Sequence, residues 1–359
     1  MLAVALGPPN AMKLAGMIAL SDPPRDDSFA LISDLRGLGV HTVMVTGDAA
    51  TTATIVAKAV GLAGAVCQSG SIPAKVSPDT YDVFAGILPD GKFDLIKAFQ
   101  KSGFTVGMCG DGANDAPALR QAQMGIAVST ATDIVKSAAG IVLTKPGLSG
   151  VVASVKVGRI TFQRVLTYAL NSVTKKIVQV LFLAVGLVLT GQAILTPMLM
   201  VIIMLTGDLL GMSLTTDNVQ PSSKPNSWRV GQLTMAGVFM GTCELVLCTM
   251  VLVVAKYKLG YGIEQLRTLA FVVIVFGNQA TTYTNRERRH MWRSCPSRWL
   301  FASSITDLII ASALAISGVA MASVPAFVIS ETLVAACAFA FIADLAKVPI
   351  YRRLGIIPS

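Results

Sequence analysis

Charged residues make up only 14% of this 359-residue chain, aromatic residues 6%, and histidine occurs twice. So little charge, set against 53% hydrophobic residues and a mean hydropathy of +0.66, excludes an ordinary soluble protein and points to a membrane protein. Cysteine motifs are missing too. Cys67, Cys109, Cys243, Cys248, Cys295 and Cys337 show no C-x-x-C spacing, and several sit inside apolar runs, so reduced structural thiols are expected. The opening stretch, MLAVALGPPNAMKLAG, has no basic segment ahead of a sustained apolar run and does not read as a secretory signal, which leaves the soluble part expected in the cytoplasm. The net charge of +9 does not mark a nucleic-acid binder, because the basic residues gather in short loops between apolar runs and form no stripe with interleaved aromatics.

What is present divides into two regions. Residues 1–150 alternate short apolar runs with helical patterns: LAGMIAL, HTVMVT, FTVGMC, MGIAV and GIVLT as strands, and Asp26 to Gly37, Ala49 to Val60, Lys92 to Lys101 and Ala116 to Ala122 as helices. That alternation predicts an α/β fold with a doubly wound, mostly parallel sheet, whose ligands sit at the carboxyl ends of strands. Residues 151–359 carry long apolar runs and predict an all-α membrane domain of about six spans: Val165 to Thr190, Ala193 to Leu214, Leu233 to Ala255, Thr268 to Tyr283, Trp299 to Ala322 and Pro325 to Val348. With the α/β region inside the cell, Lys224 and Arg229, the stretch NRERRHMWRSCPSR, and Arg352 with Arg353 also fall inside, as the excess of positive charge in cytoplasmic loops requires. The loop KYKLGYGIEQLR is the mild exception.

The chemistry concentrates at two Gly-Asp sequences, each ending an expected strand. In GMCGDGANDAPALRQAQMGIAV, Asp111 and Asp115 stand four apart around a strand-to-helix turn, so both carboxylates can face one point and offer hard oxygens to magnesium. Gly110 and Gly112 let backbone approach a phosphate closely. At the other strand end, the hydroxyl of Thr46 and the amides of Gly47 and Asp48 can hold phosphate oxygens. A lone aspartate there would more often cap a helix, a lone T-G-D more often make a turn, and a lone Lys92 more often face solvent; their order along the chain changes those odds.

That ordered series resembles the P-type ATPases, ion pumps that pass through an aspartyl-phosphate. The matching residues are Asp22-Pro23-Pro24-Arg25, Thr46-Gly47-Asp48, Lys92, and Asp111 through Ala118, followed by GIAVSTATDIVKSAAGIVLTKPGL. The resemblance implies a haloacid dehalogenase-like phosphorylation domain ahead of the membrane helices. It assigns Asp111 and Asp115 to a Mg2+ site, Lys92 and Thr46 to the phosphoryl group, Asn114 to its support, and Asp22 and Arg25 to the hinge toward a nucleotide-binding domain, with ATP as the phosphoryl donor. Phosphoryl transfer depends mainly on positioning and charge neutralisation, which agrees with the residues themselves. The stretch TTDNVQPSSKPNSWRV is similar to the plasma-membrane proton-pump branch, with its D-x-V-x-P-S-x-x-P-x-x-W pattern.

The departures matter equally. The chain contains no D-K-T-G-T string to supply the family's nucleophile, no T-G-E-S loop and no K-G-A-x motif. The expected reading is the carboxyl-terminal part of a pump, truncated or one half of a split one, inactive alone and completed by a second chain; a strand missing from mid-sheet would leave unpaired edges on its neighbours. In the membrane region, aligning the motifs of calcium pumps places their ligands at Lys176, Gln179, Met204, Gly207 and Asp208. A lysine in place of an oxygen ligand opposes a divalent ion, whereas one aspartate, Asp208, near a fixed cation suits a proton. Lys175 has snorkelling to the interface as its bland reading, and Glu244, Asp307, Glu331 and Asp344 read as packing or interfacial groups. The competing reading is a non-catalytic membrane protein whose degenerate domain binds phosphate, magnesium or a partner subunit. A membrane-tethered phosphatase needs an aspartate nucleophile in a D-x-D setting, which the sequence lacks.

Overall fold

The computed structural model describes residues 2–8, 11–18, 23–67, 72–73, 76–222 and 225–356. It forms two compact units, Met1–Lys156 with Ser223–Pro225, and Val157–Ser222 with Asn226–Ser359.

The first unit opens with an antiparallel hairpin, β1 (Leu2–Leu6) and β2 (Lys13–Ile18), whose Leu6, Met12, Leu14 and Met17 stay exposed. After α1 (Ser28–Gly37) come β3 (Met44–Val45), α2 (Ala50–Ala59), β4 (Ala65–Cys67), β5 (Tyr81–Phe84) and α3 (Pro89–Lys101). Then follow β6 (Gly107–Gly110), α4 (Ala116–Gln121), β7 (Met124–Ala127), α5 (Asp133–Ala138) and β8 (Ile141–Val142). The parallel strands make two separate three-stranded sheets, in the orders β3-β5-β4 and β6-β7-β8. Central strands β5 and β7 are covered on both faces, Val83 and Phe84 being wholly buried, as parallel sheets require. Edge strands β3 and β6 pair on one side only and stay half-exposed, which is why HTVMVT shrinks to two residues of strand. Strand β5 escaped the sequence reading because Asp82 interrupts its apolar run; that carboxylate accepts from the Gly64 amide at 2.8 Å and lies 3.4 Å from Arg36.

The second unit is helical. Helix α6 (Ser149–Thr190) enters it, followed by α7 (Pro197–Ser213), α8 (Val230–Tyr257), α9 (Ile263–Arg286), α10 (Arg298–Ser317) and α11 (Ala326–Arg353). Among the described residues five helices are long and apolar enough to cross a membrane, those at Ser149–Thr190, Pro197–Thr216, Val230–Tyr257, Arg298–Ser317 and Ala326–Arg353. The expected count of six is therefore corrected: the fourth candidate, Thr268 to Tyr283, lies in α9, which fails on polarity. The physical reason is burial. Almost every residue of α9 from Leu266 to Arg286 is enclosed by protein, so its polar half, NQATTYTNR, meets side chains instead of lipid. Its neighbours carry the outward apolar surface, with Val188, Met212 and Ile342 among the exposed residues.

One ion pair ties this bundle at its loop end. Asp217, just past α7, takes Arg286 of α9 at 2.9 and 3.2 Å, and the same carboxylate accepts the Ser297 amide at 3.0 Å where α10 starts. Its backbone carbonyl accepts two bonds from Arg164 of α6 at 2.8 and 3.0 Å. Both side chains are 2–3% exposed. Removing one partner of such a pair leaves the other buried and uncompensated. Asp217→Ala should therefore destabilise the chain by ~3–5 kcal/mol in denaturant titrations in mixed micelles, and replacing both Asp217 and Arg286 by apolar residues should recover much of that loss.

Candidate functional site

The turn after β6 is built around Asp115, which is buried with its side chain 8% exposed. It sits in the single turn of tight helix Ala113–Asp115 that leads into α4, where Pro117 fits the first turn because the amide it lacks would have no helical partner. Gly110 is required here by Asp115: a Cβ at Gly110 would lie 2.7 Å from Asp115 Oδ2 and 2.8 Å from its Cβ. Gly112 has more room, 3.9 Å from the same oxygen. Lys92, in the first turns of α3, reaches across to donate from Nζ to Asp115 Oδ1 at 2.6 Å. Asp111 is exposed; its backbone carbonyl accepts from the Thr132 amide at 3.3 Å, and among the described residues no hydrogen bond or ion pair engages its carboxylate.

At the other strand end, the Thr46 hydroxyl donates to Asp48 Oδ2 at 3.0 Å and accepts from the Asp48 amide at 3.1 Å, so the T-G-D turn is closed by its own side chains. The turn is fastened to the segment leading into α3, since the Ile87 amide donates to the Thr46 carbonyl at 3.0 Å and the Gly86 amide to the Asp48 carbonyl at 2.8 Å. Gly47 keeps a backbone open to any residue, with only ordinary contact to Ile87. Helix α3 thus brackets the two sheets. Its start holds the T-G-D turn, Lys92 holds Asp115, and its far end is bonded to α4 through Gln100 and Gln121, at 2.7 Å between side chains and 2.8 Å to the Gln121 carbonyl. Among the described residues no hydrogen bond joins the T-G-D turn directly to the Asp111 turn. Asn114 lines a cavity of about 390 Å³ with Asp90 and Asp94 of α3. Arg25 pairs with Asp27 at 3.4 Å and lies against Gly147, while Asp22 and Lys224 fall outside the described residues.

The membrane unit holds a second constellation. Lys176 and Asp208, both exposed, line one cavity of about 430 Å³ with Lys175, Gln179 and Asn278. Lys175, whose bland reading is snorkelling to the interface, is half-buried and donates to the Gly207 carbonyl at 3.4 Å. Glu244 and Asp307, read as packing or interfacial groups, hold hydrogen bonds from α9: Thr281 donates to Glu244 at 2.6 Å and Gln279 to Asp307. Their signal in the sequence was the polarity of the facing helix.

Residues 3–123 match the family model of haloacid dehalogenase-like hydrolases, and residues 94–154 match a second model of the same description. The first region is a haloacid dehalogenase-like domain. Its T-G-D turn, Lys92 and Asp111 turn all lie within the first match. Over 336 residues the chain is 30% identical to a Methanocaldococcus jannaschii protein named as a cation-transporting ATPase; the alignment takes in 90% of this chain and 42% of that protein. The chain therefore spans less than half the length of that relative. The similarity runs through both the haloacid dehalogenase-like domain and the helical unit.

Cys109, exposed on β6, reports on the site. Partial enclosure of its sulfur, then the carboxylates of Asp111 and Asp115, push its thiol above the ordinary value, so thiolate forms only at higher pH. Alkylation of Cys109 at pH 8, followed by peptide mass spectrometry, should be slow and should quicken in Asp111→Asn. Magnesium should quicken it in the parent chain and not in the variant. Equal rates throughout would show that the two carboxylates do not act on one point.

Proposed function

We propose that this chain is the carboxyl-terminal part of an ATP-driven cation pump of P-type architecture, in which the haloacid dehalogenase-like domain handles the phosphoryl group and the helical unit carries the ion. The observation that carries this reading is the bracket made by α3: Lys92 is held against Asp115 while Asp111, four residues away, keeps an unengaged carboxylate. Two hard carboxylates at the carboxyl end of a parallel strand fit magnesium, which commonly takes one or two protein carboxylates and fills its remaining positions with water and phosphate. The cradle at Gly110 also fits, since it fixes Asp115 with one oxygen on Lys92. Asp111 and Asp115 are the residues that would hold the ion. Bound there, magnesium neutralises charge on a transferring phosphoryl group.

The chain's own residues then have separable tasks. Lys92 places a positive charge beside that position, and its bond to Asp115 keeps the ammonium from being left unpaired in the half-buried turn. Of the T-G-D turn, the Gly47 amide offers a donor for a phosphoryl oxygen, the Thr46 hydroxyl and the Asp48 amide being engaged within the turn until a phosphoryl group replaces those bonds, and Asn114 lines the cavity beside α3. The nucleophile must come from a D-K-T-G-T segment on another stretch of polypeptide. Edges β3 and β6 support that arrangement, because a parallel strand paired to either would end beside Thr46 or Asp111.

In the helical unit, Asp208 and Lys176 share a cavity with Lys175, and a single carboxylate among lysines favours a proton over a divalent ion. We therefore assign proton translocation of the plasma-membrane pump type, with the amino-terminal domain on the cytoplasmic side of a plasma or inner membrane.

The chain alone should take up no label from γ-labelled ATP. Mixed with a polypeptide covering the portion of the Methanocaldococcus relative outside the alignment, it should support acid-stable, hydroxylamine-sensitive label on that polypeptide. Lys92→Ala and Asp111→Asn should each lower the label by at least ~100-fold. Label on this chain by itself would overturn the half-site reading, and a complemented reaction indifferent to both variants would favour a domain that only binds phosphate or a partner.

A further inference from the structure

Glu244 stands in the middle of α8 with no exposed surface. Its Oε2 accepts from the Thr281 hydroxyl of α9 at 2.6 Å, while Oε1 has no hydrogen-bond partner. No lysine or arginine forms an ion pair with it among the described residues. The wall beside Oε1 is Gly277, where a Cβ would come within 2.9 Å of that oxygen, so the carboxyl occupies volume that only a missing side chain leaves free.

Few charged or titratable groups face it. Lys175 of α6 acts on it at longer range while its ammonium rests on Gly207, and on α8 itself Cys248 is one turn away. On α11, Asp344 and Lys347 are bound to one another at 2.7 Å, and Glu331 is exposed. Asp208 and Asp307 act on Lys175. Next to Gly277, Asn278 carries a second unpartnered oxygen and lines the cavity of about 430 Å³ that Lys175 also lines, so the cavity wall begins one residue along α9 from the glycine that packs on Glu244.

A wholly buried carboxylate with a single neutral donor needs a counter-ion, a metal or a proton. The first is missing at ion-pair distance. The second needs a shell of about six oxygens, and among the described residues no group of three acidic, histidine or cysteine side chains is placed to hold a metal. Backbone also closes the space beside Oε1. We propose that Glu244 is a proton-binding site of the helical unit, separate from Asp208, with Thr281 fixing one oxygen and the cavity at Asn278 receiving the proton. On release the O–H bond of the carboxylic acid breaks, its electrons stay on the carboxylate, and the proton passes to water in that cavity. The inference does not depend on which cation the pump moves: Glu244 would bind its proton even if the Asp208 cavity carried another ion.

Infrared spectroscopy of the full chain in lipid nanodiscs tests this through the carbonyl stretch of protonated carboxylic acids. A band should be present at neutral pH and fade reversibly on alkalinisation. Glu244→Gln should remove it, Asp208→Asn should leave it in place, and Thr281→Val should move it to higher frequency through loss of the hydroxyl donor. If Glu244→Gln does not fold, judged by circular dichroism, Glu244→Asp serves instead and should displace the band. A band untouched by these Glu244 variants, or lost in Asp208→Asn alone, would overturn the assignment while leaving the phosphorylation test above unaffected.

Discussion

The helical unit depends on the pair between Asp217 and Arg286. Four helices meet there: the residues after α7 supply the carboxylate, α9 the guanidinium, α10 the amide at its start, and α6 an arginine on the Asp217 carbonyl. A single buried residue whose carboxylate and backbone carbonyl take this many donors is satisfied only when all four chain segments are in register, which makes the pair a specification of the arrangement more than a source of net stability. The rest of the loop follows the same pattern. Arg286 also donates to the Ser294 and Cys295 carbonyls, and Arg288 donates to the Asn285 carbonyl and the Thr167 hydroxyl. Burial pushes the Arg288 guanidinium below its ordinary value, with Tyr351 and Glu287 opposing. Basic residues that read as a topology signal are thus partly consumed in holding helix ends together.

The same economy of polar groups explains α9. Several polar side chains on it answer one on a neighbour: Thr281 to Glu244, Gln279 to Asp307, Asn285 to Asn171 at 2.8 Å, and Tyr351 of α11 to Asn285 at 3.0 Å. Bonds of this kind hold in a water-poor interior, where an unmet polar group is costly, and they replace the apolar surface that α9 does not need. Hydropathy measures contact with lipid, so it finds α7, α8, α10 and α11 and undervalues the helix they enclose. Among the described residues the oxygens left unmet along α9 are those of Asn278, Gln279 and Thr282, and Asn278 lines the cavity.

Legibility in the sequence followed how local each signal was. Helices α1, α2 and α3 could be read because each presents its own apolar stripe, and the T-G-D and Gly110 to Asp115 strings because they are contiguous. What could not be read was pairing at a distance. The bond from Lys92 to Asp115 joins residues 23 apart, and the one from Asp217 to Arg286 joins residues 69 apart. Asp217 looks like one polar residue in a proline-containing loop until Arg286 is beside it. Strand β5 was hidden by Asp82, whose charge is answered by Arg36 and Gly64 from other segments.

The two three-stranded sheets leave four edges, β3, β4, β6 and β8. A parallel strand with one partner has lost half its ladder, and β3 and β6 are also left half-exposed, a condition proteins ordinarily cover or avoid. Of the four edges, these two end in the turns that carry the candidate chemistry, one turn fastened by Gly86 and Ile87 just ahead of α3 and the other by Lys92 within it. Scaffold and donors are therefore in place on either side while the strand-pairing capacity is unspent. A parallel strand added to either edge would end beside the turn that follows it, at Thr46 or at Asp111.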